Sequence, residues 1–213
     1  MEISTASRKV LTACVTLVVL AGVTGCDLIS PVYIPDKALS KVVRAAVGKP
    51  LGVVTRADMA KIKEIQAAGM GIVDLQGLQY CESLSVLNLG GNAVVSLAPL
   101  AGLRNLSRVN LSENQLGSIE AVSGWFYLEE LQLYGEKNLI WDWRPLLANV
   151  QAGGLGAGNI LVLPTATTLD ANGNPLPGYA EAQEVLIEQD VRVTYGAPGE
   201  TTGETTDETQ TQS

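Results

Sequence analysis

The chain has 213 residues, 46% of them hydrophobic and 17% charged, with a formal net charge of −8; that suits one domain of ordinary size plus extensions. The acid excess, with only 14 Lys and Arg spread along the chain, argues against nucleic acid, because phosphate binding needs a concentrated basic stripe. Histidine is absent, which removes the commonest general base and metal ligand, so no catalytic group, cofactor or metal is expected.

The first elements read as an export signal. Arg8 and Lys9 precede an apolar run, "VLTACVTLVVLAGV", at 10–23. A helix of that length rises only about 21 Å, and a bilayer core needs about 20 apolar residues. The run ends in "VTGC", small residues leading to Cys26. This resembles a bacterial lipobox. The resemblance implies a signal peptide over 1–25, a palmitate-type lipid on Cys26, a tether over 26–33 and a place in the bacterial cell envelope, on a membrane it does not specify. An uncleaved anchor or a plain signal peptide uses the same residues. Cys14 would leave with the signal and Cys26 would carry lipid, so Cys81 stands alone and no disulfide framework is expected.

Residues 34–61 predict helices. Asp36 is a good N-cap for an apolar stripe of Leu39, Val42, Val43, Ala46 and Val47 at helical spacing. Thr55 and Asp58 have the spacing of a capping box.

From Ile62 the chain repeats itself. A step of 22 residues links Ile62, Leu84, Leu106 and Leu128; Ile65, Leu87, Val109 and Leu131; and Ala67, Leu89, Leu111 and Leu133. A helix repeats every 3.6 residues, so this register describes a copied structural unit instead. The unit, LxxLxLxxNxΦxxΦxxL with Φ apolar, resembles the leucine-rich repeat of the bacterial internalin-like type. The resemblance implies an α/β repeat solenoid over 62–150, with a parallel β-sheet on its concave face, a helical N-terminal cap and a helix–strand C-terminal cap. It also makes Asn92 and Asn114 rungs of a buried asparagine ladder, their amides serving backbone groups at the turn. A fourth unit fits after a two-residue insertion, which puts Asn138 on the next rung and Ile140, Trp143 and Leu146 in the core. Cys81 and Trp125 fall at core positions; Trp141 does not, and is the better candidate for exposure.

Beyond "VQAGGLGAGN" (150–159) the match fades, and 151–195 is expected to hold an irregular last repeat and the closing cap: an "NPL" turn, a helix from Tyr179 to about Gln189 and a strand from Val191 to Tyr195. Asp170, Asn172, Asn174 and Glu181 have the offsets of a calcium loop, but Pro175 stands where such a loop needs glycine, so the stretch is read as a turn. The tail, 196–213, has four acids and no large apolar residue and is expected to be disordered.

Strand residues alternate, so those between the inward leucines line the concave side. They form columns: Glu64, Val86, Arg108, Glu130; Gln66, Asn88, Asn110, Gln132; Ala68, Gly90, Ser112, Tyr134. Glu64, Gln66, Asn88, Arg108, Asn110, Glu130, Gln132 and Tyr134 are the candidate ligand-binding residues, with Trp141 as a separate aromatic contact. The same polarity would also serve a face that only meets water. Ser107 and Ser112 lack a histidine and Asp142 lacks a carboxylate partner, so an enzyme is not expected. The expected function is a monomeric, membrane-tethered protein–protein or glycan interaction module for an envelope or extracellular protein. The alternative is a passive structural envelope lipoprotein.

Overall fold

The computed structural model describes residues 29–164, 174 and 176–196. The expectations for Cys26, the apolar leader, the acidic tail, Asp170 and Asn172 lie outside those residues.

Six short parallel strands form one sheet in sequence order: β1 (Glu64–Gln66), β2 (Val86–Asn88), β3 (Arg108–Asn110), β4 (Glu130–Gln132), β5 (Ile160–Leu163) and β6 (Arg192–Tyr195). The register pairs Ile65 with Leu87, Leu87 with Val109 and Val109 with Leu131, so the repeat step of the sequence is the pitch of a coil. Each "LxL" alternation turns two leucine-type side chains inward and the residue between them outward. Leu84, Leu87, Leu89 and their equivalents in the next two coils are at most 1% exposed. The return arcs are short 3-10 turns at Leu78–Tyr80, Ala98–Leu100 and Glu120–Gly124, each seating a leucine or valine in the same core. The architecture is an α/β repeat solenoid.

Buried asparagines hold successive coils in register. The Asn92 amide donates to Ala67 O (2.8 Å) and Leu89 O (2.7 Å), and its Oδ1 accepts from Met70 N–H and Ile72 N–H, both at 3.0 Å. Asn114 repeats this one coil on: it donates to Leu89 O (2.9 Å), Leu111 O (3.1 Å) and Ser112 O (3.0 Å) and accepts from Val94 N–H at 3.0 Å. Asn138, displaced by the insertion, still donates to Leu111 O (3.0 Å) and Leu133 O (2.9 Å) and accepts from Leu116 N–H at 3.1 Å. The ladder starts at the second coil, because the first has Met70 at this position. Within the inserted turn Gly135 is required: it has φ +126°, and a Cβ there would lie 2.7 Å from the Glu113 backbone nitrogen.

The N-terminal cap is α1 (Lys37–Ala46) and α2 (Arg56–Met59). Leu39 and Val43 are fully buried, whereas Ala46, expected on the same stripe, is exposed at the last turn. Asp36 Oδ1 caps α1 by accepting from Leu39 N–H at 2.9 Å. Its Oδ2 accepts from Val73 N–H (2.9 Å) and Asp74 N–H (3.3 Å) of the first coil, so one carboxylate joins cap to solenoid. Burial alone would raise this carboxyl, but the N–H groups of Val73, Leu39, Asp74 and Ala38 outweigh it and hold the group below its ordinary value. Thr55 and Asp58 form the capping box of α2, and Asp58 also accepts from Lys49 Nζ at 2.7 Å.

The sheet continues past the point where the repeat fades from the sequence. Glu130 pairs with Ile160 and Ile160 with Arg192, so the last two coils are both longer than the repeat. The fourth return arc is a helix, α3 (Arg144–Gln151), packed against α4 (Tyr179–Glu188) of the closing cap. Asn149, which lies on α3 off the ladder, is fully buried. It donates to Val122 O (2.9 Å) and Trp125 O (2.8 Å) and accepts from Leu155 N–H at 3.0 Å. Trp125 and Trp143 are fully buried core fillers, and Trp143 meets Tyr179 edge-to-face at 5.6 Å.

Asn114→Ala strands several buried backbone groups at once, each worth about 1 kcal/mol. Urea unfolding is expected to show a loss of about 3 kcal/mol, against less than about 0.5 kcal/mol for Gln115→Ala on the surface one residue away. Asp58 supplies a pH signature. The hydrogen bond from Lys49, then the Thr55 N–H, pull its carboxyl down to about 2, whereas an unfolded aspartate titrates at about 3.9. Its stabilising contribution is therefore complete above about pH 4 and is lost as pH falls towards about 2. Unfolding free energies across that window should fall more steeply for the native protein than for Asp58→Asn.

Candidate functional site

The strands present the three concave columns as a face about 24 Å long, six strands at about 4.8 Å spacing. Glu64, Val86, Arg108, Glu130, Ile160 and Arg192 share one row, and Gln66, Asn88, Asn110, Gln132, Val162 and Thr194 the next. All the candidates at Glu64, Gln66, Asn88, Arg108, Asn110, Glu130, Gln132 and Tyr134 lie on or at the end of these strands, exposed or half-buried.

The amides are fixed by one another. Gln66 Nε2 donates to Glu64 Oε1 at 3.0 Å, and Asn88 Nδ2 donates to Gln66 Oε1 at 3.1 Å. Asn110 Oδ1 accepts from both Ser112 N–H (3.0 Å) and Ser112 Oγ (2.6 Å). Gln132 Nε2 donates to Glu130 Oε1. Gly90 leaves room for this arrangement, since a Cβ there would stand 3.0 Å from Ser112 Oγ and 3.1 Å from the Asn110 amide. Arg108 is the exception. It is exposed and opposite Glu130 in register, yet among the described residues its guanidinium makes no ion pair or hydrogen bond. Arg108 is thus an uncommitted cation in the row beside the preset amides, and Arg192, exposed at the far end of the same row, likewise makes no ion pair or hydrogen bond among the described residues.

Trp141 lies elsewhere. It follows the buried Asn138, beyond the turn that leaves the sheet, and is 58% exposed. Val73 and Val95 hold the equivalent places on earlier coils and are each 55% exposed; Gly117 occupies the place between, and the Trp141 N–H reaches Gly117 O at 3.5 Å. The structure therefore separates Trp141 from the concave columns and joins it to an apolar edge, whose valines recur at the repeat step and were open to the same register argument. Beside Trp141, Asp142 and Arg144 form a bidentate pair with Nε–Oδ1 at 2.9 Å and Nη2–Oδ2 at 2.6 Å, and the guanidinium holds the Asp142 carboxyl below its ordinary value.

Cys81 is fully buried, and burial pushes its thiol up to about 12, so it stays protonated and packs as a small apolar side chain. Among the described residues no group of three His, Cys, Asp or Glu side chains is placed to hold a metal ion, and no helix is long and apolar enough to cross a membrane.

No family model and no curated protein matches the chain. Among solved structures it is similar to internalin C2 from Listeria monocytogenes, with a TM-score of 0.58 at 24% identity over 76% of this chain and 65% of that one. The internalin InlF of the same organism overlaps at a TM-score of 0.48 and 22% identity, covering 68% of this chain and 48% of that chain. The functional domain of InlJ, also from Listeria monocytogenes, overlaps at 0.30 and 17% identity, covering 61% of this chain and 36% of that one. The chain spans 65% of the length of internalin C2, and the likeness is one of fold. In fold, this protein is a short leucine-rich repeat solenoid, closed by helices at its start and by a helix and strand at its end.

Proposed function

We propose that this protein is a non-enzymatic interaction module that binds a protein ligand through its concave face while a lipid on Cys26 holds it at a bacterial membrane. The observation that carries the reading is Arg108, a cation without an internal partner on a face whose amides are already fixed. A guanidinium in that state presents a fork of donors to an incoming carboxylate or carbonyl. The amides around it lose little freedom when a ligand docks, because they are already bonded and the strands beneath are rigid. Asn110 Nδ2 and Gln132 Oε1, one strand apart and uncommitted within the described residues, supply a donor and an acceptor beside it. The fold likeness to an internalin supports an interaction role by analogy of architecture. The tether rests on the lipobox-like "VTGC" and the apolar run before it.

Crosslinking of the full chain in intact bacterial cells tests the reading. The native protein should capture a defined neighbour. Arg108→Ala with Asn110→Ala should reduce that capture at least tenfold, an effect the size of losing a charge-assisted contact of roughly 1.5–3 kcal/mol, while the melting temperature moves little. Undiminished capture by the folded double variant would refute the concave face as the contact. Palmitate labelling that survives Cys26→Ser would separately refute the anchor.

A further inference from the structure

The chain's charge is not spread evenly. Half of its 14 Lys and Arg lie between residues 29 and 63, in company with only two acids, Asp36 and Asp58. A protein of net charge −8 thus carries a positive N-terminal cap. Lys37, Lys41 and Arg44 recur at i, i+4 and i+7 on one side of α1, away from the buried Leu39 and Val43. With Pro50 they line an open groove between the helix and the following loop. Lys37 and Lys41 have no partner among the described residues.

The same end exposes apolar side chains. Leu51 is 86% exposed and Val53 58%, on the loop that Arg44 pins by donating to Gly52 O at 2.9 Å. Tyr33 is 73% exposed, and the antiparallel bridge of Pro31 with Thr55 brings its segment alongside that of Val53. Exposed leucine and tyrosine tips beside lysines match the interface of a bilayer, where apolar groups enter the headgroup boundary and basic groups meet anionic phosphates.

We propose that this cap face docks on anionic phospholipid, fixing how the solenoid stands on its membrane. The inference deepens the tethered reading and rests on it for the origin of the membrane contact. Ser30, whose carbonyl accepts from Arg56 N–H at 3.1 Å, is the first described residue tied to the cap. The four residues from Cys26 to it span about 14 Å at most, so a lipid on Cys26 keeps the cap within about two screening lengths of the bilayer. A lipid on Cys26 would hold the chain at the membrane but leave its orientation free, and a basic patch on the cap supplies the contact that fixes it. Lys41 also borders Glu64 and Gln66 of the first strand, so this face adjoins the start of the concave rows, and Arg108 and Asn110 lie two strands further on.

The test uses the full chain carrying Cys26→Ser, so that lipid cannot contribute, sedimented with vesicles of phosphatidylcholine alone or with about a third phosphatidylglycerol. The leader binds both compositions, and its own Arg8 and Lys9 favour the anionic one, so the part of the preference that the cap-lysine substitutions remove is what reports the charged face. Preferential binding to the phosphatidylglycerol vesicles, abolished by high salt, is expected. Lys37→Gln with Lys41→Gln should cut the preference about twenty-five-fold, at about fivefold per lysine, and Leu51→Ser should weaken binding to both compositions. Equal binding to the two vesicle types, a preference untouched by the lysine substitutions, or sedimentation without vesicles through contact between copies would each overturn the proposal. None of these outcomes bears on whether Cys26 is acylated, which the palmitate label decides on its own.

Discussion

Everything in this molecule depends on the hydrogen bonding of three side-chain amides. A coil that leaves its strand must turn, and the turn strands carbonyls and N–H groups inside an apolar core. Asn92, Asn114 and Asn138 meet that demand, each joining the strand end of its own coil to that of the coil before. An amide is the smallest side chain with two donors and an acceptor on one plane. A leucine there would leave the backbone groups unsatisfied, and an aspartate would bury a charge without the donors. The leucines supply the driving force by area removed from water; the amides decide that the area is removed in one register.

That rigidity shapes what the protein presents to its surroundings. With the register fixed, side chains one repeat apart in sequence become neighbours across a strand gap, and the concave rows of amides follow from it. The two ends differ in kind. The cap is positive and carries exposed apolar tips, while α4 adds Glu181, Glu184 and Glu188 to the opposite end. The stiff polar wall of the sheet thus lies between a basic cap and an acidic far end.

The coil pitch, the three ladder asparagines, the capping box and the burial of Cys81, Trp125 and Trp143 were legible because each follows from a spacing. Other features follow from no spacing. The fourth arc becomes a helix and lengthens its coil beyond the repeat, so β5 falls out of register with the sequence repeat although it is in register in space. Asn149 sits off the period for the same reason, serving carbonyls of the arc before it. On the concave face the sequence shows which side chains share a row, but not which amides bond one another. That Arg108 is left over depends on side-chain geometry and was not readable from the row it shares with Glu64 and Glu130. The concentration of basic residues in the cap was countable in the sequence; its meaning came from seeing Lys37, Lys41, Arg44 and Leu51 at one end of the fold.

Native-state hydrogen exchange tests the central claim most directly. The N–H groups of Ile72, Val94 and Leu116 have ladder oxygens as their acceptors. They lie in irregular arcs, where backbone N–H groups ordinarily exchange fast. If the ladder holds the coils in register, these three should exchange as slowly as the strand amides of Leu87 and Val109, through global unfolding. Exchange at the rate of the surrounding exposed loops would contradict it.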